Sequence, residues 1–142
     1  MKANISIDST ISLFSEASSL IKSRMHRALP KSFAQCQTIW FINDKESAKE
    51  KPTMLDVARY FKITAPSATA LIDELTKNGL ISRTVSTKDR RKIELALTAK
   101  GRKLHKTMTQ KRTRVLSGIF KALSQEDRED LNRILTNILE TN

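Results

Sequence analysis

Residues 64–97 read TAPSATALIDELTKNGLISRTVSTKDRRKIELAL, and within this stretch the hydrophobic period changes once. Ala68, Leu71, Ile72 and Leu75 recur at spacings of three and four, the inward stripe of an amphipathic helix. Thr64 stands where a helix N-cap belongs, Pro66 falls in the first turn where a missing N–H costs nothing, and Gly79 follows the last turn. After Gly79 the period becomes two. Ile81, Arg83 and Val85 alternate with Ser82, Thr84 and Ser86; beyond Thr87–Arg91, Ile93, Leu95 and Leu97 alternate with Lys92, Glu94 and Ala96. The pattern predicts a hairpin with one apolar face and a charged tip. No Asn-Gly or Asp-Gly pair occurs at the tip, so a longer loop is expected there.

Upstream, Thr53 and Asp56 have the spacing of a capping box opening a short helix that carries Leu55, Val57, Ala58 and Phe61. Lys62-Ile63-Thr64 joins it to the helix above, giving the form of a helix-turn-helix. Residues 43–52 are polar and are expected to be a frayed helix end and loop. A helix from Ser32 to about Asp44 precedes them, with Phe33, Cys36, Ile39, Trp40 and Phe41 as its buried side. The first helix runs from about Ser9 to Leu29, its stripe Ile11, Phe14, Ala17, Ile21, Met25 and Ala28, and Pro30 stops it. Downstream, Thr98 caps a long helix reaching about Leu123, with Leu104, Met108, Val115, Ile119 and Phe120 on one side. Ser124 caps the last helix, which places Glu126 and Asp127 in its first turn and Leu131, Ile134, Leu135, Ile138 and Leu139 along one face. Three segments follow: an N-terminal helix (1–31), a helix-turn-helix with hairpin (32–98), and two C-terminal helices (99–142).

The net charge is +11, and its placement says more than its size. Between Ser82 and Arg114 stand twelve basic residues against Asp89 and Glu94, so one quarter of the chain holds nearly the whole excess. Localisation of that kind is the footprint of a polyanion binder; a helix face kept basic for solubility is the plainer alternative.

A chain of 142 residues, 39% hydrophobic and 29% charged, accommodates one domain with or without an oligomerisation element. Three Gly and three Pro leave little material for an all-β fold. No apolar run reaches the roughly 20 residues that span a bilayer, and residues 1–8 lack a signal-peptide pattern, so a cytoplasmic protein with no membrane partner is expected. Cys36 is the lone cysteine, and His26 and His105 have no ligand-spaced neighbours; no metal or other cofactor is expected. There is no phosphate-cradling glycine loop, nucleophile motif or framed carboxylate pair, which argues against an enzyme.

A helix-turn-helix followed directly by a basic hairpin is a winged helix. Its second short helix suits the major groove, a cationic hairpin tip suits the neighbouring minor groove, and the helix N-termini at Thr53 and Thr64 are expected to donate N–H groups to phosphate. At this point the residues resemble the multiple-antibiotic-resistance regulator (MarR) family. The match runs from Thr64 through Gly79-Leu80-Ile81, continues in Lys88-Asp89-Arg90-Arg91, and ends in Leu97-Thr98-Ala99-Lys100-Gly101-Arg102. The resemblance implies a mainly α protein with a small β-hairpin: a winged helix-turn-helix whose N- and C-terminal helices form a dimerisation domain. It implies a homodimer that binds a roughly palindromic double-stranded operator and represses transcription, with relief by a small-molecule or redox effector.

Carried over by position, Pro66, Ser67 and Thr69 approach bases or adjacent phosphates, with Ala70 on the same turn. Arg90 enters the minor groove, Asp89 and Arg91 brace the wing, and Lys88 and Arg83 hold phosphates. Two departures stand out. Ala70 replaces the larger polar side chain common there, and Phe33-Ala34-Gln35-Cys36-Gln37 keeps only the Gln of a usual Leu-Thr-x-x-Gln opening. Some relatives use a reactive thiol, but Cys36 lies on the apolar side of its helix and reads as structural. Met25, Trp40 and Phe41 read either as core or as the lining of a ligand pocket.

The residues also argue for a dimer directly. The five aliphatics of the last helix are worth roughly 1.5–3 kcal/mol each when fully buried, and the first and long helices bear stripes of their own. The small core of a winged-helix module cannot cover all three, so a second copy is the economical answer; the alternative is that these helices pack on each other in a monomeric bundle. The competing function is a nucleic-acid or protein-interaction module that uses the basic surface without sequence preference.

Overall fold

The structure is a computed structural model describing residues 5–141. It contains six helices and one two-stranded antiparallel sheet among the described residues: α1 (Ile7–Ala28), α2 (Phe33–Ser47), α3 (Met54–Phe61), α4 (Ala65–Lys77), β1 (Ile81–Val85), β2 (Ile93–Leu97), α5 (Ala99–Phe120) and α6 (Gln125–Glu140). The expected mainly helical winged-helix fold is present. The chain divides into two compact units, residues 29–110 and residues 1–28 with 111–142.

The 29–110 unit holds α2 to β2 and α5 through Gln110. α2 opens with a reciprocal box in which Ser32 and Gln35 satisfy each other's backbone N–H groups. It runs to Ser47, past the expected end near Asp44, because Ile42 is buried and Glu46 is bonded on two sides. The Glu46 carboxylate accepts from the Leu97 amide at 3.2 Å and from the Arg102 guanidinium at 2.6 Å. The polar stretch therefore yields only a short loop, which Lys49 enters with a left-handed φ of 60°. On α2, Cys36 and Ile39 are buried as expected, Trp40 and Phe41 half-buried, and Phe33 exposed, contrary to expectation. Phe33 is the first helical residue, before the buried stripe begins. Trp40 Nε1 donates to Thr109 Oγ1 at 3.2 Å, and Phe41 stacks on Tyr60.

Thr53 and Asp56 form the expected capping box at α3, and Lys62, at φ 52°, turns the chain toward α4. α4 buries Ala68, Ile72 and Leu75 and ends as foreseen at Gly79, whose φ of 69° lets its N–H reach the Thr76 carbonyl while the Leu80 N–H reaches Leu75. β1 and β2 pair Ile81 with Leu97, Arg83 with Leu95 and Val85 with Ile93. The hairpin's apolar face is buried only at its base: Ile81, Leu95 and Leu97 are covered, whereas Val85 and Ile93 are exposed. A bridge between Thr53 and Glu94 and a 2.7 Å bond from the Leu95 amide to the Pro52 carbonyl attach the chain before α3 to β2.

Thr98 opens α5, accepting from the Gly101 N–H at 3.0 Å and donating to the Gly79 carbonyl. Gly101 is obligatory. A Cβ there would lie 2.1 Å from the Leu80 carbonyl oxygen. Ile39, Ile42, Val57, Ile72, Leu75, Ile81 and Met108 form the centre of this unit, each essentially inaccessible.

The second unit contains α1, the remainder of α5, and α6. α1 starts at Ile7, two residues before expectation; α5 ends at Phe120 rather than Leu123, and Ser124 with Asp127 forms a full capping box for α6. Of α1, only Met25 is buried; of α6, nothing is. The stripe residues Ile11, Phe14, Ile134, Leu135 and Leu139 are all exposed.

Candidate nucleic-acid interface

The N-terminal half of α4 turns Ala68 inward and leaves Pro66, Ser67, Thr69 and Ala70 exposed. The Thr64 hydroxyl accepts from the Ser67 amide and lies 2.9 Å from the Ser67 hydroxyl, while Thr69 Oγ1 donates to the Ala65 carbonyl at 2.9 Å. These short side chains are already tethered to their own helix, so little rotamer entropy remains to be lost on binding. All four predicted reading positions share one accessible surface.

The two helix N-termini of the motif differ. No acid lies in the first turn of α4, so its amide end and dipole are available to an anion. At α3 the Asp56 carboxylate already accepts from the Thr53 amide at 2.8 Å and the Thr53 hydroxyl at 2.7 Å. Burial works against that carboxylate's charge, but the Thr53 bonds, with Lys45 and Arg59 nearby, outweigh it and hold Asp56 below its ordinary range. A phosphate brought to this end would meet a negative charge. The Thr53 terminus thus differs from that of α4 in already carrying a carboxylate. Gln35 is removed from consideration, being buried and spent in the α2 cap.

Between β1 and β2 the wing tip closes on its own backbone. The Ser86 N–H donates to the Lys92 carbonyl, the Lys92 N–H to the Asp89 carbonyl, and the Lys88 N–H to Ser86 Oγ. Asp89 braces the turn as the sequence suggested, but through the Arg91 main-chain N–H at 3.1 Å and not through its guanidinium. Lys88, Arg90, Arg91 and Lys92 are exposed around it. Below the tip, the Ser86 hydroxyl and Lys51, 3.1 Å away, hold Glu94 below the usual carboxylate range. A groove of about 460 Å³ lies there, lined by the cations Lys49, Lys51, Arg59, Lys88 and Lys92 and by the carboxylates Asp56, Asp89 and Glu94.

Arg83 departs from its predicted place. Its guanidinium is paired with Asp73 on α4, and its Nε is buried without a partner, so it does not stand out toward a phosphate. Asp73, Glu46, Ser86 and Glu94, which sequence reasoning passed over, hold the wing and its neighbours in place. Acidity inside a basic region was an advance signal for Glu94 alone. Cys36 is buried with Sγ 3.6 Å from the Lys31 carbonyl, and burial pushes its thiol up, as suits a structural cysteine.

An exposed helix N-terminus and a cationic two-stranded wing in one unit make this a winged-helix module. Residues 32–92 match the model of the MarR family. Among solved structures the chain is similar to a point mutant of S. aureus MepR, at 25% identity and TM-score 0.79 over 92% of this chain and 96% of that one. It is also similar to S. aureus MepR in complex with DNA, at 25% identity and TM-score 0.75 over 92% and 96%. YusO from Bacillus subtilis shares the fold at 20% identity, TM-score 0.72, over 96% and 99%. No curated protein sequence matches the chain. No helix among the described residues is long and apolar enough to cross a membrane.

Proposed function

We propose that this chain is a non-enzymatic, cytoplasmic repressor that binds a palindromic operator as a homodimer and is released by a small-molecule effector. In this reading Pro66, Ser67, Thr69 and Ala70 face base edges and flanking phosphates in the major groove. Arg90 enters the adjacent minor groove, Lys88 and Arg91 neutralise phosphates, and Asp89 shapes the turn that presents them. The observation that carries the proposal is the exposed first half of α4 sharing one unit with four exposed cations on a braced hairpin. The match to the MarR-family model supports the effector.

Support for the dimer comes from the other unit. α1 and α6 leave aliphatic and aromatic side chains in water, Phe14 at 67% and Leu139 at 78% exposure. Faces of this size on a folded chain call for a partner surface, and a two-fold dimer would present two copies of α4 to successive major grooves about 34–36 Å apart.

The test is the ratio of affinities for genomic fragments selected by the protein and for random duplex at physiological salt. A ratio of roughly 10³ or more supports a sequence-specific regulator. Equal affinities with a steep salt dependence would sink it and leave a non-specific polyanion binder.

A further inference from the structure

We propose that Asp73 and Arg83 form a clasp that sets the angle of the wing against the recognition helix. Both then act as positioning residues for DNA binding, and Arg83 is not itself a phosphate contact. The proposal rests on the DNA-binding reading above.

Arg83 is a cation on the apolar face of the hairpin, in line with Ile81 and Val85 and directly opposite Leu95. Ile81 and Leu95 are buried, and a charge set among such neighbours needs a partner. Its side chain is 27% exposed, its Nε is shut away from solvent, and its Nη2 ends on Asp73 Oδ1. A rigid guanidinium fork with one edge turned inward has its remaining donors aimed by that edge, here at α4. Asp73 lies three and four residues after Ala70 and Thr69, on the same side of α4 as the reading positions.

The clasp matters because the outer wing has no core. Past Leu95 the apolar face is open at Val85 and Ile93, and a two-stranded hairpin alone is marginal in water. Its direction is set by ties at its sides. On the β2 side these are the Leu95 amide on Pro52 and the Lys51–Glu94 pair; on the β1 side it is Arg83 on Asp73. Releasing one side frees Lys88, Arg90, Arg91 and Lys92 from the posture that α4 requires of them.

Simple electrostatics and the clasp make opposite predictions for Asp73→Ala. Removing an acid that is 58% exposed beside a DNA-reading surface should tighten binding by charge alone, whereas loss of the clasp should weaken it. The experiment compares wild type, Asp73→Ala, Arg83→Gln, their double mutant, and Glu74→Ala, which removes the neighbouring exposed acid without touching the pair. Amide exchange of residues 84–93 is measured on the protein alone, and affinity for selected DNA across a salt series. Expected are faster wing exchange and about fivefold weaker binding for Asp73→Ala and for Arg83→Gln, with the double mutant no worse than either and the salt slope unchanged. Glu74→Ala should not weaken binding, and Asp73→Ala should cost less once Arg90 is already Ala.

Affinity equal to or above wild type in Asp73→Ala overturns the proposal, even if wing exchange rises. So does an Arg83→Gln loss accompanied by a salt slope flatter by about one, the mark of a lost phosphate contact. If wild type itself prefers no DNA, the proposed function fails, and unchanged wing exchange in the variants would separately dispose of the clasp.

Discussion

α4 and α6 carry stripes of the same helical period, yet α4 buries Ala68, Ile72 and Leu75 and α6 buries none of its residues. The contrast extends to the units that contain them. The 29–110 unit encloses a core that runs from Cys36 to Met108, while in the other unit α1 contributes one buried side chain, Met25. A hydrophobic period states that a helix needs cover. It does not say whether that cover lies in the same chain, and here one unit finds it internally while the other leaves it to the second copy proposed above.

The comparison is open to attack at both ends. Ile72→Ala should cost about 2–5 kcal/mol of stability by urea unfolding, because it opens a cavity in a site with no exposure. A loss under about 1 kcal/mol would mean the winged-helix core is less complete than its burial implies. In the other unit, Phe14→Asp combined with Leu139→Asp should leave helicity nearly intact but raise the dimer dissociation constant about a hundredfold or more, read by light scattering over a dilution series. An unchanged assembly would place the interface elsewhere.

Smaller effects sharpen the picture within the winged-helix unit. Arg90→Ala should weaken binding to selected DNA about tenfold or more while leaving assembly and unfolding temperature unchanged; a destabilised product would show instead that Arg90 supports the fold. Smallest is the α3 cap. Thr53→Ala should cost about 1 kcal/mol near neutral pH. Asp56 is held below its ordinary value, so the stability it contributes is complete well above that value and disappears as pH falls through the folded-state one. The gap between mutant and wild-type unfolding curves should accordingly narrow in strong acid to the part that the Asp56 N–H to Thr53 hydroxyl bond supplies, and a gap that does not narrow would mean the carboxylate is not the partner that matters.

Much of this architecture was legible because its signals are local. Gly79 requires a left-handed φ, Thr53 and Asp56 cap each other across three residues, and the change of period after Gly79 separates α4 from β1. The misreadings share a different cause. Residues 43–47 looked like loop because nothing nearby needs them helical; the partners of Glu46 are Leu97 and Arg102, some fifty residues on. Phe33 has the residue type of a core position but stands at the head of α2, before the buried stripe begins.

The candidate interface divides along the same line. Sequence alone determined which residues stand on the recognition helix and the wing tip, because cap, period and charge are written in consecutive residues. Only the tertiary structure decided which of them reach outward. It turned Arg83 onto Asp73 and required Gly101 where the Leu80 carbonyl passes. Each of those outcomes depends on the distance between atoms far apart in the chain or on the charge a neighbour already holds, and neither quantity exists until the chain has folded.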